Sequence, residues 1–572
     1  MRFQKRYILL FAIVSLVTFI KFTVGLDDFV NVEQFRGADI QNGVFYPMIA
    51  QSINRNRLVV TLNGNTYTNE TDGVYMDEQL NIMVPVRVLR ESLHCSAHFY
   101  NNDSLVILQG TRKIEMKLNS YEMRFNDTIV DITSPMVNDG RDTYVPLQQL
   151  QDKLFFTMRW NSDNNEVIGY TSANADILPE KFDLREYGRV GEVRNQGDLG
   201  TCWAFASLSA LSSALLPEEE SLFSPDHMSI RNSFSSDQSN GGEYTMGMAY
   251  LTSWQGPVYE QDDPYGDGMS PNGLMAVKHV QEIQFIESGN LQQIKEAIFI
   301  YGAVQTSMYM KPSNALYYNK DNYAYYYKGD KTVNHDIVIV GWDDNYPASN
   351  FPTRPSGDGA FICQNSWGVA FGDGGFFYVS YYNSDITKRC ICYTGIENTD
   401  NYDAIYQSDL CGYSGLLGYN KSEIYAANVF TSTHDEYLSA VGFYATGKDT
   451  SYEIYIVTPF VDSESLSEAT AMLAASGKKD KAGYYTIKLN KNVQITAGTK
   501  FAILIKIDTP GATRPLAVEY KSSADSVIDL MDGESYISSN GRKWEHTEEA
   551  QNCNICLKVY TSYRGRNTGW KN

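Results

Sequence analysis

Cysteine is scarce in this chain, with 8 among 572 residues at irregular spacing. A scaffold held by disulfides needs a denser framework, so we expect stability to come mainly from apolar cores, with any disulfide pairing left open. Basic residues are also few, since 47 Lys and Arg face 68 Asp and Glu for a net charge of −21. This balance excludes nucleic acid and an anionic membrane surface as the main partner, because both bind a basic face.

Long apolar runs are absent beyond the N-terminus. The chain starts with the basic stretch MRFQKR, continues with an apolar run from Tyr7 to Ile20 and then reaches small residues. This order predicts a secretory signal peptide over 1–25, followed by a linker over 26–56. The alternative is a retained anchor, but Lys21 ends the run short of the ~20 residues that a span needs. We therefore expect a secreted, extracellular or surface-associated protein that meets a membrane only through an uncleaved signal segment.

Residues 57–171 contain an internal repeat. The stretch MVPVRVLRESLHCSAHFYNNDSLVI, from Met83, aligns without gaps on YVPLQQLQDKLFFTMRWNSDNNEVI, from Tyr144. Each copy predicts a Val-Pro corner, a short amphipathic helix, an aromatic strand, an Asn/Asp turn and a second strand. This segment resembles the copper amine oxidase N-terminal-like domain, a stalk module of bacterial surface proteins.

Metal-ligand patterns are weak throughout the sequence. The cluster His94, Cys95 and His98 is replaced by two phenylalanines and an arginine in the second copy of the repeat, so we interpret it as packing. Two close cysteine pairs, C-I-C from Cys390 and C-N-I-C from Cys553, lack a second pair or a histidine at ligand spacing. The sequence therefore predicts no metal and no other cofactor.

Cys202 stands in the stretch NQGDLGTCWAFASL, where it either fills a core or acts as a nucleophile. Gly200 and Thr201 predict a tight turn, and CWAFASLSALSSALL predicts a helix after it. The thiol would then lie in the first helical turn, where unpaired N–H groups and the helix dipole favour a thiolate. A thiolate is the form of cysteine that attacks carbonyl groups.

A nucleophilic cysteine needs a base and a group that orients the base. The chain has only 7 histidines. Two lie in the repeat, two lie in the C-terminal region, and His227 and His279 fall in helical patterns without polar company. His335, in VNHDIVIVGWDD, opens a buried-looking strand, and Asn365 follows in QNSWG. These two residues are the candidates for base and orienting group.

Together these motifs resemble the papain-like cysteine peptidases, and their details resemble a bacterial secreted subgroup. LPEKFDLRE is similar to the start of the mature enzyme, NGG at Asn240 to a substrate-binding strand, NHDIVIVGW to the histidine strand and QNSWG to the asparagine turn. The resemblance covers 178–397 and implies a two-lobed α+β peptidase. After it, short alternating strands over 401–562 are typical of an all-β sandwich. We therefore expect a multidomain chain in which the peptidase is flanked by the α+β repeat domain and this sandwich.

The resemblance implies a role for each matched residue. Cys202 would be the nucleophile, His335 the general base and then the general acid, and Asn365 the group that orients the imidazole. The side-chain amide of Gln196 and the backbone N–H of Cys202 would bind the oxyanion. Trp367 would shield the His–Asn hydrogen bond from water.

The resemblance also implies a substrate-binding set: Gly241, Gly242, Glu243, Val333, Asn334, Asp336 and Trp367. Glu243 and Asp336 take positions that line the S2 pocket and are commonly apolar in the family. An acidic pocket predicts a preference for Lys or Arg at P2.

Two features depart from the family pattern. The usual disulfide between the nucleophile segment and the NGG segment is missing, because Leu199 and Ser239 hold those positions. Both cysteines of this disulfide are missing together, which implies loss of a stabilising cross-link and not loss of function. The long helical inhibitory propeptide is also absent, and the repeat domain stands in its place.

The C-terminal region resembles the lectin-like domain that follows the peptidase in bacterial papain-like proteins. This domain either binds a carbohydrate or cell-wall ligand or is a structural cap on the peptidase. The motif SSNGRKW predicts a hairpin turn with a packed Trp544, not a sugar site.

The leading hypothesis is a secreted or surface-held endopeptidase acting on proteins or peptides. One alternative is an adhesion or scaffolding protein with a degenerate peptidase domain, which the presence of Cys202, His335, Asn365 and Gln196 argues against. Another is a transglutaminase-like acyl transferase, which the asparagine motif argues against.

Overall fold

The computed structural model describes residues 57–100, 103–139, 142–151, 153–161, 164–171, 177–467, 471–520, 528–530 and 534–563. The predicted signal peptide and N-terminal linker lie outside these residues. The chain divides into two compact units, 1–177 and 178–572. No helix within the described ranges has the length and apolar content needed to cross a membrane.

Within its described residues, the first unit consists of short strands and three short helices. Its strands are β1 (Val59–Leu62), β2 (Asn65–Thr68), β3 (Tyr75–Met76), β4 (Ile82–Pro85), β5 (Ser96–Tyr100), β6 (Ser104–Gln109), β7 (Arg112–Lys117), β8 (Glu122–Phe125), β9 (Thr128–Asp131), β10 (Val137–Asn138), β11 (Thr143–Pro146), β12 (Phe156–Asn161) and β13 (Glu166–Thr171). Its helices are α1 (Asn69–Asp72), α2 (Val86–Leu93) and α3 (Leu147–Gln151). The described strands form three sheets, in the orders β12-β13-β1-β2, β10-β11-β4-β3 and β5-β6-β7-β8-β9.

The internal repeat is confirmed in this unit. The first copy forms β4, α2, β5 and β6, and the second forms β11, α3, β12 and β13 in the same order. The two Val-Pro corners pair with each other, since β4 and β11 are antiparallel with Val84 opposite Val145. The His/Cys patch of the first copy packs inward: Cys95 is fully buried in the core of the unit, and His98 Nε2 hydrogen-bonds Ser96 Oγ.

The second unit begins with the region over 178–397 that resembles a peptidase. Its strands are β14 (Lys181–Asp183), β15 (His279–Ile286), β16 (Val304–Met308), β17 (Tyr318–Asn319), β18 (Ala324–Tyr325), β19 (His335–Asp343), β20 (Ala360–Gln364), β21 (Phe376–Ser380) and β22 (Cys390–Glu397). Its helices are α4 (Cys202–Leu215), α5 (Pro225–Ile230), α6 (Tyr244–Thr252) and α7 (Leu291–Ile300). Helix α4 packs on α5 and α6 on one side and on β16, β19 and β22 on the other. This is an α+β arrangement with the cysteine helix between a helical lobe and a sheet.

The C-terminal region of the second unit is almost entirely β. Its strands are β23 (Ala404–Tyr406), β24 (Gly415–Leu417), β25 (Glu423–Thr431), β26 (Glu436–Ala445), β27 (Thr450–Val457), β28 (Met472–Lys479), β29 (Gly483–Ile495), β30 (Lys500–Asp508), β31 (Leu516–Tyr520), β32 (Ser535–Ser538), β33 (Glu545–His546), β34 (Cys553–Ile555) and β35 (Leu557–Tyr563), with helix α8 (Thr547–Gln551). Inward residues such as Val441 of β26 and Ile505 of β30 share one core, as the expected sandwich requires. The SSNGRKW turn joins β32 to β33, and Trp544 Nε1 donates to Leu466 O at 2.6 Å.

One sheet runs through both regions of the second unit. Its order is β17-β18-β21-β20-β19-β16-β22-β15-β29-β26-β35-β23, with β14 paired to β19. The two regions meet where β15 pairs with β29, at Glu282 opposite Tyr485 and Gln284 opposite Gly483. Sequence patterns gave two separate domains here, because pairing between strands far apart in the chain leaves no local signal.

The helical pattern assigned to His279 is wrong, because His279 is the first residue of β15. Its ring stacks on Trp254 at 3.6 Å, and its Nδ1 lies 2.7 Å from Asn401 Oδ1. His227 does lie in helix α5, but it too has polar company, with Nδ1 2.6 Å from Tyr250 OH. Both imidazoles are therefore held by structural contacts.

Candidate active site

Cys202 is the first residue of α4, as predicted. The helix begins with the Thr201 carbonyl, which accepts from the N–H groups of Ala204 and Phe205. The Thr201 hydroxyl is engaged elsewhere, 2.7 Å from Tyr265 OH. Most of the helix is buried, so packing on all sides fixes the direction of the Cys202 side chain, which is itself 9% exposed.

The NGG segment runs directly beside this helix start. A Cβ at Gly242 would lie 2.3 Å from Trp203 Nε1, and a Cβ at Gly200 would lie 2.6 Å from the backbone nitrogen of Gly241. The Gly200 N–H also donates to Gln238 O at 2.9 Å. Close backbone packing thus joins the two segments at the place where the family's disulfide is missing.

The NGG segment is not a strand, which corrects that expectation. Gln238–Asn240 form a 3₁₀ turn, and 241–243 have no regular structure before α6 begins. Gly241 has φ +83°, a conformation that interrupts a β-ladder. Glu243 is extended, with φ −140° and ψ 164°, and its carbonyl accepts from the Met246 N–H at 2.9 Å.

His335, Asn365 and Trp367 meet at the start of β19. His335 is the first residue of this buried strand, and Asn365 directly follows β20. His335 Nε2 lies 2.7 Å from Asn365 Oδ1, and both residues are buried. The Trp367 ring lies over the imidazole with centroids 4.5 Å apart. Because the amide oxygen can only accept, Nε2 carries the proton and Nδ1 is left as the basic nitrogen.

Gln196 is fixed from both ends of its side chain. Its Oε1 accepts from Ser366 Oγ at 2.7 Å, and its Nε2 donates to Leu199 O at 2.7 Å. Its backbone N–H donates to Ser366 O at 2.8 Å. One N–H of the side-chain amide is used by Leu199, and the other is available to a ligand.

Ser366 joins this cluster, although the sequence motif alone gives it no role. Its hydroxyl sets the amide orientation of Gln196, and its backbone N–H donates to Asn365 Oδ1 at 2.8 Å. Gln305 on β16 was also missed. It accepts from Ser207 Oγ of α4 at 3.0 Å and donates to Asp336 Oδ2 at 3.3 Å, which ties the cysteine helix to the histidine strand.

The thiolate expected at Cys202 is opposed by its surroundings, which corrects the argument from the helix dipole alone. Burial raises the pKa of the thiol to about 11, and the Asp336 carboxyl adds to the shift. Hydrogen bonds from the backbone N–H groups of Asp336, Trp203 and Cys202 act in the opposite direction. The Asp336 contact places the sulfur against the backbone at the start of β19.

Burial also lowers the pKa of His335 to about 4, although the bond to Asn365 opposes this. The imidazole is therefore neutral and able to accept a proton over most of the pH range. Burial therefore disfavours the charged form of each group, the thiolate of Cys202 and the imidazolium of His335. This arrangement suits a thiol that is activated by a base within the site.

The residues predicted to bind substrate are brought to this site with different exposures. Glu243 is exposed at the start of α6, whereas Asp336 is buried beneath the surface with its carboxyl bonded to Gln305. Asn334 Nδ2 donates to Met310 O at 3.1 Å, so this side chain braces a loop. Val333 is half-buried.

Comparison with known proteins agrees with the fold. Three family models match the chain in order: a copper amine oxidase N-terminal domain over 61–169, a papain family cysteine protease over 178–398 and a lectin like domain over 405–561. The middle match spans the cysteine helix, the histidine strand and the asparagine turn. This region is therefore a papain-family cysteine protease domain.

The chain carries this protease domain between a copper amine oxidase N-terminal domain and a lectin-like domain. Two solved structures share the last two parts. The clostridial cysteine protease Cwp84 after propeptide cleavage is 26% identical, with a TM-score of 0.61, covering 67% of this chain and 99% of that one. The protease and lectin-like domains of Cwp84, described as a surface layer associated protein of Clostridium difficile, are 27% identical with a TM-score of 0.60, covering 67% and 89%.

Curated relatives match mainly in the protease domain. Fruit bromelain of Ananas comosus is 24% identical over 222 residues, which are 38% of this chain and 59% of that protein. Cathepsin S of Bos taurus is 26% identical over 300 residues, which are 51% of this chain and 80% of that protein. The chain thus spans about three fifths of the length of bromelain.

Proposed function

We propose that this protein is a secreted or cell-surface cysteine endopeptidase. The observation that carries the proposal is the hydrogen bond of 2.7 Å from His335 Nε2 to Asn365 Oδ1, made beside a cysteine at the first position of a buried helix. Because Asn365 holds the imidazole through Nε2, Nδ1 is the nitrogen that would accept the Cys202 proton. The likeness to Cwp84, a surface-layer associated protease, supports the location, and we propose domains over 57–171, 178–397 and 401–562.

The geometry suits acyl transfer to the cysteine. The Cys202 proton passes to His335 Nδ1 as the sulfur attacks the scissile carbonyl carbon and forms a C–S bond. The resulting oxyanion accepts from Gln196 Nε2 and from the Cys202 backbone N–H. The imidazolium then gives its proton to the leaving amine as the C–N bond breaks. Water, deprotonated by the same imidazole, hydrolyses the thioester and restores the thiol.

All four proposed catalytic positions hold the residues that the peptidase family uses. This favours hydrolysis over the two alternatives, a degenerate scaffolding domain and an acyl transferase. A degenerate domain would not need Gln196 held by Ser366 and Leu199, and an acyl transferase would have to exclude water from the thioester. The distinguishing experiment incubates a protein substrate with the purified enzyme and an added primary amine. Mass spectrometry should find new N-termini and free carboxyl ends. Products carrying the amine, with no new carboxyl ends, would contradict the peptidase assignment.

We further propose that the acidic residues of the S2 pocket favour Lys or Arg at P2. Glu243 supplies an exposed carboxylate at the pocket, and Asp336 supplies a second, buried carboxyl. Burial raises the pKa of Asp336 to about 7, and the nearby Glu243 adds to this, whereas Ser307 and Gln305 oppose it. Asp336 is therefore mostly neutral below about pH 7 and charged above it.

The expected result is a preference for Arg over Leu at P2 of roughly fivefold or more in kcat/KM. Because the pKa of Asp336 is raised, its negative charge appears only as pH rises, so the preference should grow between pH 6 and pH 8. The ratio of kcat/KM for the Arg substrate to kcat/KM for the Leu substrate is used because titration of Cys202 and His335 affects both values equally and cancels. Glu243→Gln should reduce the preference, and Glu186→Gln, at an exposed glutamate of the same region, should not. A preference for Leu that is unchanged in Glu243→Gln and Asp336→Asn would overturn the assignment.

From this activity we propose that the substrates are extracellular proteins or peptides. The lectin-like domain is the candidate site for a carbohydrate or cell-wall ligand.

A further inference from the structure

A cavity of about 750 Å³ lies between the protease domain and the lectin-like domain. Tyr244 and Arg389 line it from the protease side, and Tyr413, Arg514 and Tyr520 line it from the other. Its size is that of a site for a ligand or a short chain segment. Neither domain forms this cavity alone, and the shared sheet holds its two walls together.

The charge of the lining is of one sign. Lys388, Arg389 and Arg514 contribute three cations, and no Asp or Glu is among the described residues that line the cavity. Lys388 has an ion pair at 3.5 Å with Asp385, whereas the described residues offer no ion-pair partner to either arginine. All three are exposed. In a chain of net charge −21, a concave wall with only cations focuses positive potential where an anion would bind.

The cavity adjoins the proposed substrate cleft. Tyr244 and Thr245 line it, and they directly follow Glu243 of the substrate-binding segment. Arg389 also lines it, and its charge acts on the carboxyl of Asp336, the residue after His335. A substrate that occupies the S2 position would therefore reach this cavity with the residues that precede P2.

Aromatic and aliphatic surface accompanies the cations. Tyr520 is 43% exposed and Leu416 is 42% exposed, both on strands of the lectin-like domain that face the cavity. Exposed rings beside arginines can pack against the stems of glutamate side chains while the guanidinium groups bind the carboxylates. The lining thus fits an extended acidic segment better than a small inorganic anion.

We propose that this interdomain cavity binds an acidic stretch of the protein substrate, on the N-terminal side of the scissile bond. The lectin-like domain then acts as part of the substrate-recognition surface of the protease. This inference rests on the proposed peptidase function for the placement of the segment. The binding itself is measurable without catalysis.

The test uses the full chain carrying Cys202→Ala and two fluorescent peptides. One peptide has a run of glutamates upstream of P2, and the other has glutamines at the same positions. Fluorescence anisotropy should show roughly tenfold tighter binding of the acidic peptide at low ionic strength. Added salt should narrow the difference, since exposed charges are screened.

Charge reversal in the lectin-like domain identifies the site. Arg514→Glu should bring the two affinities to about the same value, whereas Lys491→Glu, at an exposed lysine of that domain outside the cavity, should leave the difference intact. Equal affinities in the parent protein, or a difference that survives Arg514→Glu, would overturn the proposal. So would tight binding of polygalacturonate without binding of the acidic peptide, because the occupant would then be an anionic saccharide.

The same peptides and variants distinguish failure of the acidic-segment proposal from failure of the proposed peptidase function. If the two peptides bind equally while the unmutated protein cleaves short peptides, only the acidic-segment proposal fails. If the acidic peptide binds through Arg514 and no peptide is cleaved, only the peptidase function fails.

Discussion

Replacing Cys202 with alanine is expected to reduce peptide hydrolysis by about 10⁴-fold or more, because no other group at the site can form the thioester. Alanine keeps the Cβ at the first position of α4 and is a good helix former, so the fold should be retained. The measurement is kcat/KM on a fluorogenic peptide under reducing conditions. An epoxide or vinyl-sulfone probe should label the unmutated protein at Cys202 and leave the variant unlabelled.

Cys95→Ala provides the matched control for this loss. Cys95 is a fully buried thiol of the first unit, and burial raises its pKa above the usual range, so it should neither react nor matter for hydrolysis. Thermal unfolding of Cys202→Ala should stay close to that of the parent protein, and any loss of Tm in Cys95→Ala should be confined to the first unit, where its side chain is buried. Hydrolysis by Cys202→Ala above about one per cent of the parent rate would show that a different nucleophile operates and would defeat the proposed mechanism.

Local signals in the sequence were sufficient to predict where Cys202 and His335 lie in their secondary-structure elements. The Gly200–Thr201 turn ahead of an apolar helical run placed Cys202 at the start of α4, and the β-branched run after His335 placed that residue at the start of β19. Both assignments depend on residues within a few positions of the side chain. Their roles in catalysis remain predictions that the variants test.

Properties that depend on tertiary packing could not be predicted from the local sequence. The pKa of Cys202 is raised because distant segments bury the sulfur, which the helix start alone could not reveal. The helical pattern expected around His279 is wrong for the same reason, since polar residues of β15 face the lectin-like domain and interrupt its alternation. Thr486 Oγ1, for example, donates to Gln281 Oε1 at 2.5 Å across the domain boundary.

The shared sheet changes what the lectin-like domain is expected to do for stability. Strand β15 has β22 on one side and β29 on the other, so it is an interior strand only when the C-terminal region is present. Aromatic packing follows the same boundary: Trp254 stacks on His279 and lies 5.3 Å from the ring of Tyr560. Backbone contacts add to it, with Gln407 Nε2 donating to Ser253 O at 3.0 Å. Without the C-terminal region, the protease domain would therefore expose an unpaired strand edge and apolar side chains on this side.

A chain that ends at residue 398 is accordingly expected to lose the folded protease domain. Removing the C-terminal region exposes the edge of β15 and the apolar faces packed on it, and burial of each large side chain contributes ~1.5–3 kcal/mol against a total stability of about 5–15 kcal/mol. An open, partly apolar strand edge also favours aggregation. Circular dichroism and limited proteolysis should find little protected core, whereas 178–563 should unfold in a single transition that includes both domains.

A single substitution at the domain boundary tests the same point without removing a domain. A Cβ at Gly483 would lie 2.2 Å from the carbonyl oxygen of Ile283, so Gly483→Ala must separate β29 from β15. The matched control is Gly191→Ala in the protease domain, where the nearest atom would be 3.9 Å away. Gly483→Ala should lower the Tm of the whole second unit by several degrees and reduce peptide hydrolysis at elevated temperature, and Gly191→Ala should do neither. If the 1–398 chain stays folded and active, or if Gly483→Ala leaves protease unfolding unchanged, the lectin-like domain is an independent appendage and the shared sheet does not stabilise the active site.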